Sequence, residues 1–326
     1  MKLKLYIIGI ALLSVITTSC RSTDNSTNEN DNTKAIVKVN LAGSEFNGTE
    51  FLKSASTKVS SSTSVISQQQ TIPFNEEYSI TATLVPVITK KNTSYAATDL
   101  TAGIPDRKEL EAGIKYKVVV YDDSGAYVDE KEFTYKQNDQ NGFLLDGGKS
   151  YTFIAYSVNS KTSLPAINNG NTLATAELPA STEDLMYFKR TMIVTGNKTN
   201  NLDVVLKHQF SQVTLKLDAT NIGNIQDIGQ TYFFSTQRGG IIFNNDKIVL
   251  RIAPDPNAYV KFPPLDNSPK ATSNPTLIIS GDSDTGFLFI DSITINGTTK
   301  NGLRLENLNF RLGVKYDLNI TFNKKN

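Results

Sequence analysis

Few side chains in this sequence can do chemistry, and their spacing limits what that chemistry could be. Cys20 is the sole cysteine and His208 the sole histidine. A protein zinc site draws on several cysteine or histidine ligands, so neither residue has the company it would need. His208 falls mid-strand between Leu206 and Phe210, the position of a packed, hydrogen-bonded imidazole. GDSDTGFLFID carries Asp282, Asp284 and Asp291, and its Asp284-Thr285-Gly286 matches the triplet around the catalytic aspartate of an aspartic protease. That reaction needs two carboxylates sharing one proton, and no second such triplet occurs. A turn rich in Asp and Gly between strands is the expected role; calcium would require all three carboxylates to converge. Asp122, Asp123 and Gly125 in YDDSGAY read as another turn. No GxSxG or Walker-type loop is present. No aromatic cluster in the sequence makes a sugar platform by itself; tyrosines from separate strands would have to assemble one. The expectation is a non-enzyme with no catalytic, cofactor-binding or metal-ligating residues.

Cys20 suits a different chemistry, a single covalent attachment. Lys2 and Lys4 form a short basic region, and Leu5 to Ile16 an apolar one too short to span a bilayer. Thr17, Thr18 and Ser19 then lead into Cys20. A signal peptide ending in small residues and a cysteine resembles the lipobox of bacterial lipoproteins, with Thr17 where leucine is usual. The resemblance implies cleavage between Ser19 and Cys20 and acylation of the Cys20 thiol. Two or three acyl chains hold a protein stably at a membrane, whereas one does so only marginally. Residues 1–19 are thus expected to be a signal peptide. Residues 20–33 are the lipidated cysteine and a polar, flexible tether.

The rest of the chain must position whatever the protein presents. Of its 326 residues, 39% are hydrophobic and 20% charged, which is the composition of a folding chain and not a disordered one. With 33 basic against 32 acidic side chains, there is no net field to attract nucleic acid. Period-two alternation dominates and no long amphipathic helix is evident. It is visible in AIVKVNLAGSEF, YSITATLVP, YKVVVYDDSGAY, LMYFKRTMIVTG, GIIFNNDKIVLRI and GFLFIDSITING. The run GKSYTFIAYSVNS is apolar almost throughout, as in a strand covered on both faces. VKYDLNITF is the cleanest case, with Tyr316, Leu318, Ile320 and Phe322 on one face. In KHQFSQVTLKL the alternation changes phase, which marks a bulge or a strand passing between sheets. SASTKVSSSTSVISQQQT reads as a long loop. The Pro- and Gly-containing stretch 162–184 suggests a division, giving β-sandwiches over residues 34–178 and 179–326.

Several blocks together carry a resemblance. They are EAGIKYKVVVYDDSGAYVDEKEF, DGGKSYTFIAYSVNSKTSLP, EDLMYFK, VVLKHQFSQVTLKLD and LGVKYDLNITF, in that order. This series resembles the fimbrillin family of Bacteroidota surface lipoproteins, from about residue 110 to the end. The resemblance implies an all-β chain of two tandem transthyretin-like β-sandwich domains, lipid-anchored in the outer membrane and exposed on the cell surface. It also implies a fimbrial role in adhesion, with other fimbrial subunits as partners through β-strand augmentation. In such pilins a protease, typically arginine-specific, removes an amino-terminal strand, and a neighbour's strand fills the groove. Here no arginine lies between Arg21 and Arg107. Cutting after Arg21 would leave the first strand, Ala35 to Leu41, in place, and cutting after Arg107 would destroy much of the first domain. Lys34 and Lys53 remain as other cleavage points. Only four residues follow Phe322, so the closing strand near 314–322 is a donor only if it is itself donated. An anchor or accessory subunit fits this pattern better than a shaft subunit. The alternative is a lipid-anchored module that binds a glycan or another host or bacterial surface ligand without polymerising.

Overall fold

A computed structural model describes residues 33–46, 67–87, 107–137, 142–234, 237–282 and 285–325. Among the described residues there are 21 strands and no helix, as period-two patterning dictates. The first sheet runs β5 (Tyr127–Thr134), β4 (Lys115–Asp122), β7 (Ser150–Ser157), β9 (Met186–Ile193), β10 (Thr199–His208), β1 (Lys34–Glu45) and β6 (Phe143–Asp146). Strands β9 and β10 meet only at Lys207–Tyr187 and His208–Met186. Past that corner the sheet folds back on itself. Val37, Leu202, Val204 and Leu206 of one wing share a core with Val118, Val120 and Phe153 of the other.

The opposite faces of β4 and β7 are apolar too, and a second layer covers them. It consists of β15 (Lys247–Arg251), β14 (Arg238–Ile242) and β8 (Glu177–Ser181). Leu178, Ile241 and Phe243 pack there on Val119, Tyr121, Ile154 and Tyr156. Double coverage explains why β7 reads as an unbroken apolar run: seven of its eight residues are buried.

The second sandwich pairs two further sheets. One runs β17 (Lys270–Thr272), β11 (Ser211–Asp218), β21 (Lys315–Lys324), β3 (Tyr78–Pro86) and β2 (Gln68–Pro73), with β18 (Thr276–Ile278) also on β11. The other runs β12 (Ile225–Ile228), β19 (Thr285–Ile295), β13 (Thr231–Phe234) and β16 (Asn257–Tyr259), with β20 (Thr298–Asn309) on β19. Ile80, Leu84, Leu215, Leu318 and Phe322 face Phe233, Leu288, Ile290, Leu303 and Leu305 across the core. The phase change in KHQFSQVTLKL is a strand passing between sheets: β10 ends at His208 and β11 starts at Ser211 in the other sandwich.

Strand pairing crosses the division expected at residue 178. Strands β9 and β10 lie beyond it and complete the first sheet, while β3, which pairs with β21, and β2, which pairs with β3, lie before it. The stretch 162–184 is packed, not a free linker: the Tyr156 hydroxyl donates to Pro165 O at 2.7 Å, and Leu164, Ile167 and Leu173 lie on the core. Part of the expected long loop is strand β2. Its glutamines bind across to β20, with Gln68 Nε2 donating to Asn309 O at 2.7 Å and Gln70 Nε2 to Glu306 O at 2.9 Å.

Candidate assembly strand and the polar latch that holds it

The strand near residues 34–41 is, with the closing strand near 314–322, a candidate partner for assembly, and the structure shows how β1 is held. Val37 and Ala35 are fully buried and alternate with exposed Lys34, Ile36 and Lys38. Burying one valine side chain stabilises by about 1.5–3 kcal/mol. Strand β10 pairs with β1 in parallel from Ile36 to Leu41 and again at Ser44–Glu45. On its other edge β6 pairs only Lys34–Val37. Among the described residues, Lys38–Leu41 thus have a strand neighbour on one side alone.

The register slips between Leu41 and Ser44, and that irregularity sets up a latch. Gly43 sits at φ +129, and a Cβ there would stand 2.2 Å from the carbonyl oxygen of Lys108. Only glycine permits this approach, which brings Ser44 beside Lys108. The two residues exchange N–H···O bonds of 2.8 Å each way. Ser44 Oγ then lies 3.1 Å from His208 Nε2, and His208 Nδ1 lies 2.9 Å from Asp184 Oδ1. The Phe46 ring stacks on the imidazole, with centroids 4.0 Å apart and planes within 3°. Glu45 is buried as well, its Oε2 3.7 Å from Arg107 Nε and without a hydrogen bond.

Ser44, His208 and Asp184 are connected in the order of a hydrolase triad. A nucleophile of that kind must meet a substrate carbonyl, whereas Ser44 is 5% exposed and its own N–H and C=O are tied to Lys108. What the arrangement does is join three chain segments, 44–46, 184 and 208, at the end of β1. His208 is a packed imidazole bonded through both nitrogens. Ser44 and Asp184, its partners, carry no local signal in the sequence, because 164 and 24 residues separate them from His208.

The second expected participant, the closing strand, takes a different place. Strand β21 lies between β11, parallel to it along Gln212–Asp218, and β3, antiparallel along Tyr78–Pro86. Tyr316, Leu318, Ile320 and Phe322 are all core residues. A strand paired on both edges and buried on one face is a core strand, not a free donor.

Cys20, Ser19, Arg21 and Lys53 lie outside the described residues. Asp282 accepts from the Leu312 N–H at 2.7 Å through Oδ1, and from Asn309 Nδ2 at 3.1 Å through its carbonyl, so it braces the β20–β21 connection. Asp284 is outside the described residues, and Asp291 is exposed on β19. Among the described residues no group of three or more His, Cys, Asp or Glu could hold a metal. The Asp122 carboxylate accepts from Ser124 Oγ and from the N–H groups of Ser124 and Ala126. The Ser124 hydroxyl foremost, and then these N–H groups, hold its pKa below the usual carboxylate range. It makes the tight turn between β4 and β5, with Gly125 at φ +81.

No family model matches the chain, and no curated protein does so either. Among solved structures the chain is similar to a candidate cell adhesion protein from Bacteroides fragilis, at TM-score 0.45 and 12% identity, covering 74% of this chain and 93% of that one. It is also similar to the fimbrial anchor protein Mfa2 from Porphyromonas gingivalis, at TM-score 0.40 and 15% identity over 68% and 86% of the two chains. A candidate polysaccharide-binding protein from Bacteroides thetaiotaomicron gives TM-score 0.40 and 14% identity over 65% and 84%. Values of this size carry no argument about function.

Proposed function

We propose that the protein is an outer-membrane lipoprotein, anchored through Cys20, that serves as an anchor or accessory subunit of a fimbrium. Strand β1 is the element through which it meets other subunits. The observation that carries this reading is the asymmetry of β1: among the described residues, a core-filling strand with one long neighbour and one four-residue neighbour. Taking β1 out would uncover β10 and the core around Val37, a groove that a strand of alternating pattern from another chain could fill. The opposite face supports contact with other chains too. Ile36 and Leu144 stand opposite each other across β1 and β6 and are 47% and 61% exposed. The signal layout and lone thiol supply the anchor. The arginine spacing supports an intact β1 in the mature subunit, since cutting after Arg21 would spare it.

Mass spectrometry of the amino terminus of the membrane-extracted protein tests this reading. The expected terminus is an acylated Cys20 followed by an intact chain through β1. A free terminus beyond residue 41 would overturn the anchor reading. Deleting residues 34–42 should convert the protein to heat-dissociable high-mass assemblies; an unchanged oligomeric state would count against β1 as the exchanging strand.

A further inference from the structure

On the outer face of the second sandwich, far in sequence from β1, side chains from four strands form two rows. The pairing places Tyr259 of β16 opposite Tyr232 of β13, Tyr232 opposite Phe289 of β19, and Phe289 opposite Arg304 of β20. In the next row Asn257 faces Phe234, which faces Phe287. Their strand neighbours Phe233, Ala258, Leu288, Ile290, Leu303 and Leu305 point into the core, so period two sends all five rings outward. Phe234 and Phe287 stack at 4.9 Å with planes 12° apart, and Tyr232 is 5.3 Å from Phe289 and 6.0 Å from Tyr259. The Arg304 guanidinium lies 3.5 Å over Phe287 and is ion-paired to Glu306. Phe234 and Tyr259 keep 42% and 43% of their surface in water. With strands about 4.8 Å apart, the row from Tyr259 to Arg304 spans about 14 Å.

The platform does not end at Tyr259. That ring also lines a pocket of about 350 Å³, together with Phe262, Pro263 and Pro264, between the β12–β13 turn and the segment after β16. The size is that of a small-ligand site. Asp227 and Gln230 sit on its wall, both exposed. Among the described residues, neither side chain makes a hydrogen bond, so a carboxylate and an amide are free to serve a ligand.

We propose that this platform and pocket bind a neutral glycan. A pyranose ring has a flat C–H face that lies against an aromatic ring and a rim of hydroxyls that need donors and acceptors. Partly buried rings held by cross-strand packing offer the first at little ordering cost. Asp227 as acceptor, and Gln230 as donor and acceptor, offer the second. Charge selects within the class. The cation of the platform is already compensated by Glu306, and the charged side chain lining the pocket is Asp227, so on the described residues that line the pocket and platform a uronate or sialate would meet a carboxylate and no unpaired cation. A protein partner is the poorer match. It would call for about 800 Å² of surface on this side, whereas the apolar face is two rows of rings bounded by Asn257, Arg304 and Glu306. The site lies on the other sandwich from β1, so it goes beyond the assembly reading, and neither stands or falls with the other.

An array of immobilised neutral and acidic glycans, probed with the detergent-solubilised full chain, tests the proposal. At least one neutral glycan should bind. Phe234→Ala and Tyr259→Ala should each weaken that binding about tenfold or more, with the fold retained by circular dichroism, while Tyr259→Phe keeps it. Asp227→Asn should weaken it too, since a carboxylate is the stronger acceptor. Binding of no neutral glycan, binding of acidic glycans alone, or full binding by Phe234→Ala and Tyr259→Ala each overturns the proposal. So does sedimentation in which these two substitutions turn a dimer into a monomer, because the face is then a self-interface.

Discussion

Gly43→Ala should open the end of β1 while leaving the second sandwich closed. The added Cβ would stand 2.2 Å from Lys108 O, a backbone atom that cannot swing aside, and φ +129 is itself unfavourable for any side chain. Relief requires the chain around Ser44 to move away from Lys108. That movement breaks the two 2.8 Å backbone bonds between them and the Ser44–His208 bond. Losing the three bonds costs about 1 kcal/mol net each, and keeping the native path would instead cost about 1–3 kcal/mol of backbone strain on top of the clash with Lys108 O. A local destabilisation of about 3–4 kcal/mol follows, worth a factor of about 100–1000 in the opening equilibrium.

Native-state hydrogen exchange read by mass spectrometry measures this directly. Amides of residues 38–45 and 107–110 should exchange about 100-fold faster or more, while β21 keeps its protection. Gly297→Ala is the control: that glycine also has positive φ, at +76, but nothing lies within 4 Å of the added carbon. It should leave β1 unchanged. If Gly43→Ala leaves β1 protection at the wild-type level, the latch is not what holds the strand. If β1 and β21 loosen equally, β1 is not a separately opening unit, and the assembly reading loses its physical basis.

Three other outcomes are expected. His208→Ala should lower stability by about 2–4 kcal/mol, because it removes two side-chain bonds and leaves Asp184 without its ring partner; a double-mutant cycle with Ser44→Ala in chemical denaturation should show coupling of about 1 kcal/mol or more. Tyr121→Phe should be neutral or stabilising by about 1–2 kcal/mol, because the buried Tyr121 hydroxyl has no hydrogen-bond partner. Burial also pushes that phenol up to about 12, so its protonated form is favoured by folding. This contribution is present below about pH 10 and lost as pH rises through about 12, so the substitution should flatten the alkaline limb of stability against pH. Asp218 behaves oppositely: the Thr220 hydroxyl, and then Lys270, pull it down to about 2. Its stabilisation is present above about pH 4 and lost as pH falls toward 2, and Asp218→Asn should flatten the acid limb by at most about 1 kcal/mol, since the carboxylate is 38% exposed.

Much of the all-β architecture was legible because side-chain alternation reports directly on burial. Strand β21 and the break between β10 and β11 were readable for that reason. Short strands such as β6, β16 and β17 were not, because three or four residues hold too little alternation to distinguish from a turn. Strand β2 was missed because glutamine is a poor signal for a strand, and its amides find backbone partners only after β20 is in place. Pairing was harder still. Alternation says which residues form a strand but not which strands adjoin, so nothing local revealed that β2 and β3 complete a sheet around β21. The latch and the aromatic platform share that character. Tyr232, Tyr259 and Phe289 belong to three separate strands, and only the register brings their rings together.

In the proposed exchange, the same register decides which end of the folded chain can take part. Strand β21 has β11 on one edge and β3 on the other along nearly its whole length, and four of its side chains are in the core. Removing it would split its sheet and expose the facing layer, a change on the scale of unfolding. Among the described residues, strand β1 is paired along most of its length on one edge only, and beyond Val37 its other edge has no strand neighbour until Ser44 reaches Lys108. The latch sits at the far end of that open stretch, where the chain would otherwise peel away from β10. A strand held by pairing at its start and by Gly43, Ser44 and His208 at its end is closed by default and openable at one point. Opening there frees the amides and carbonyls of Lys38–Leu41 before the buried Val37 leaves the core, so any incoming strand would first pair at the latch end and advance toward Lys34.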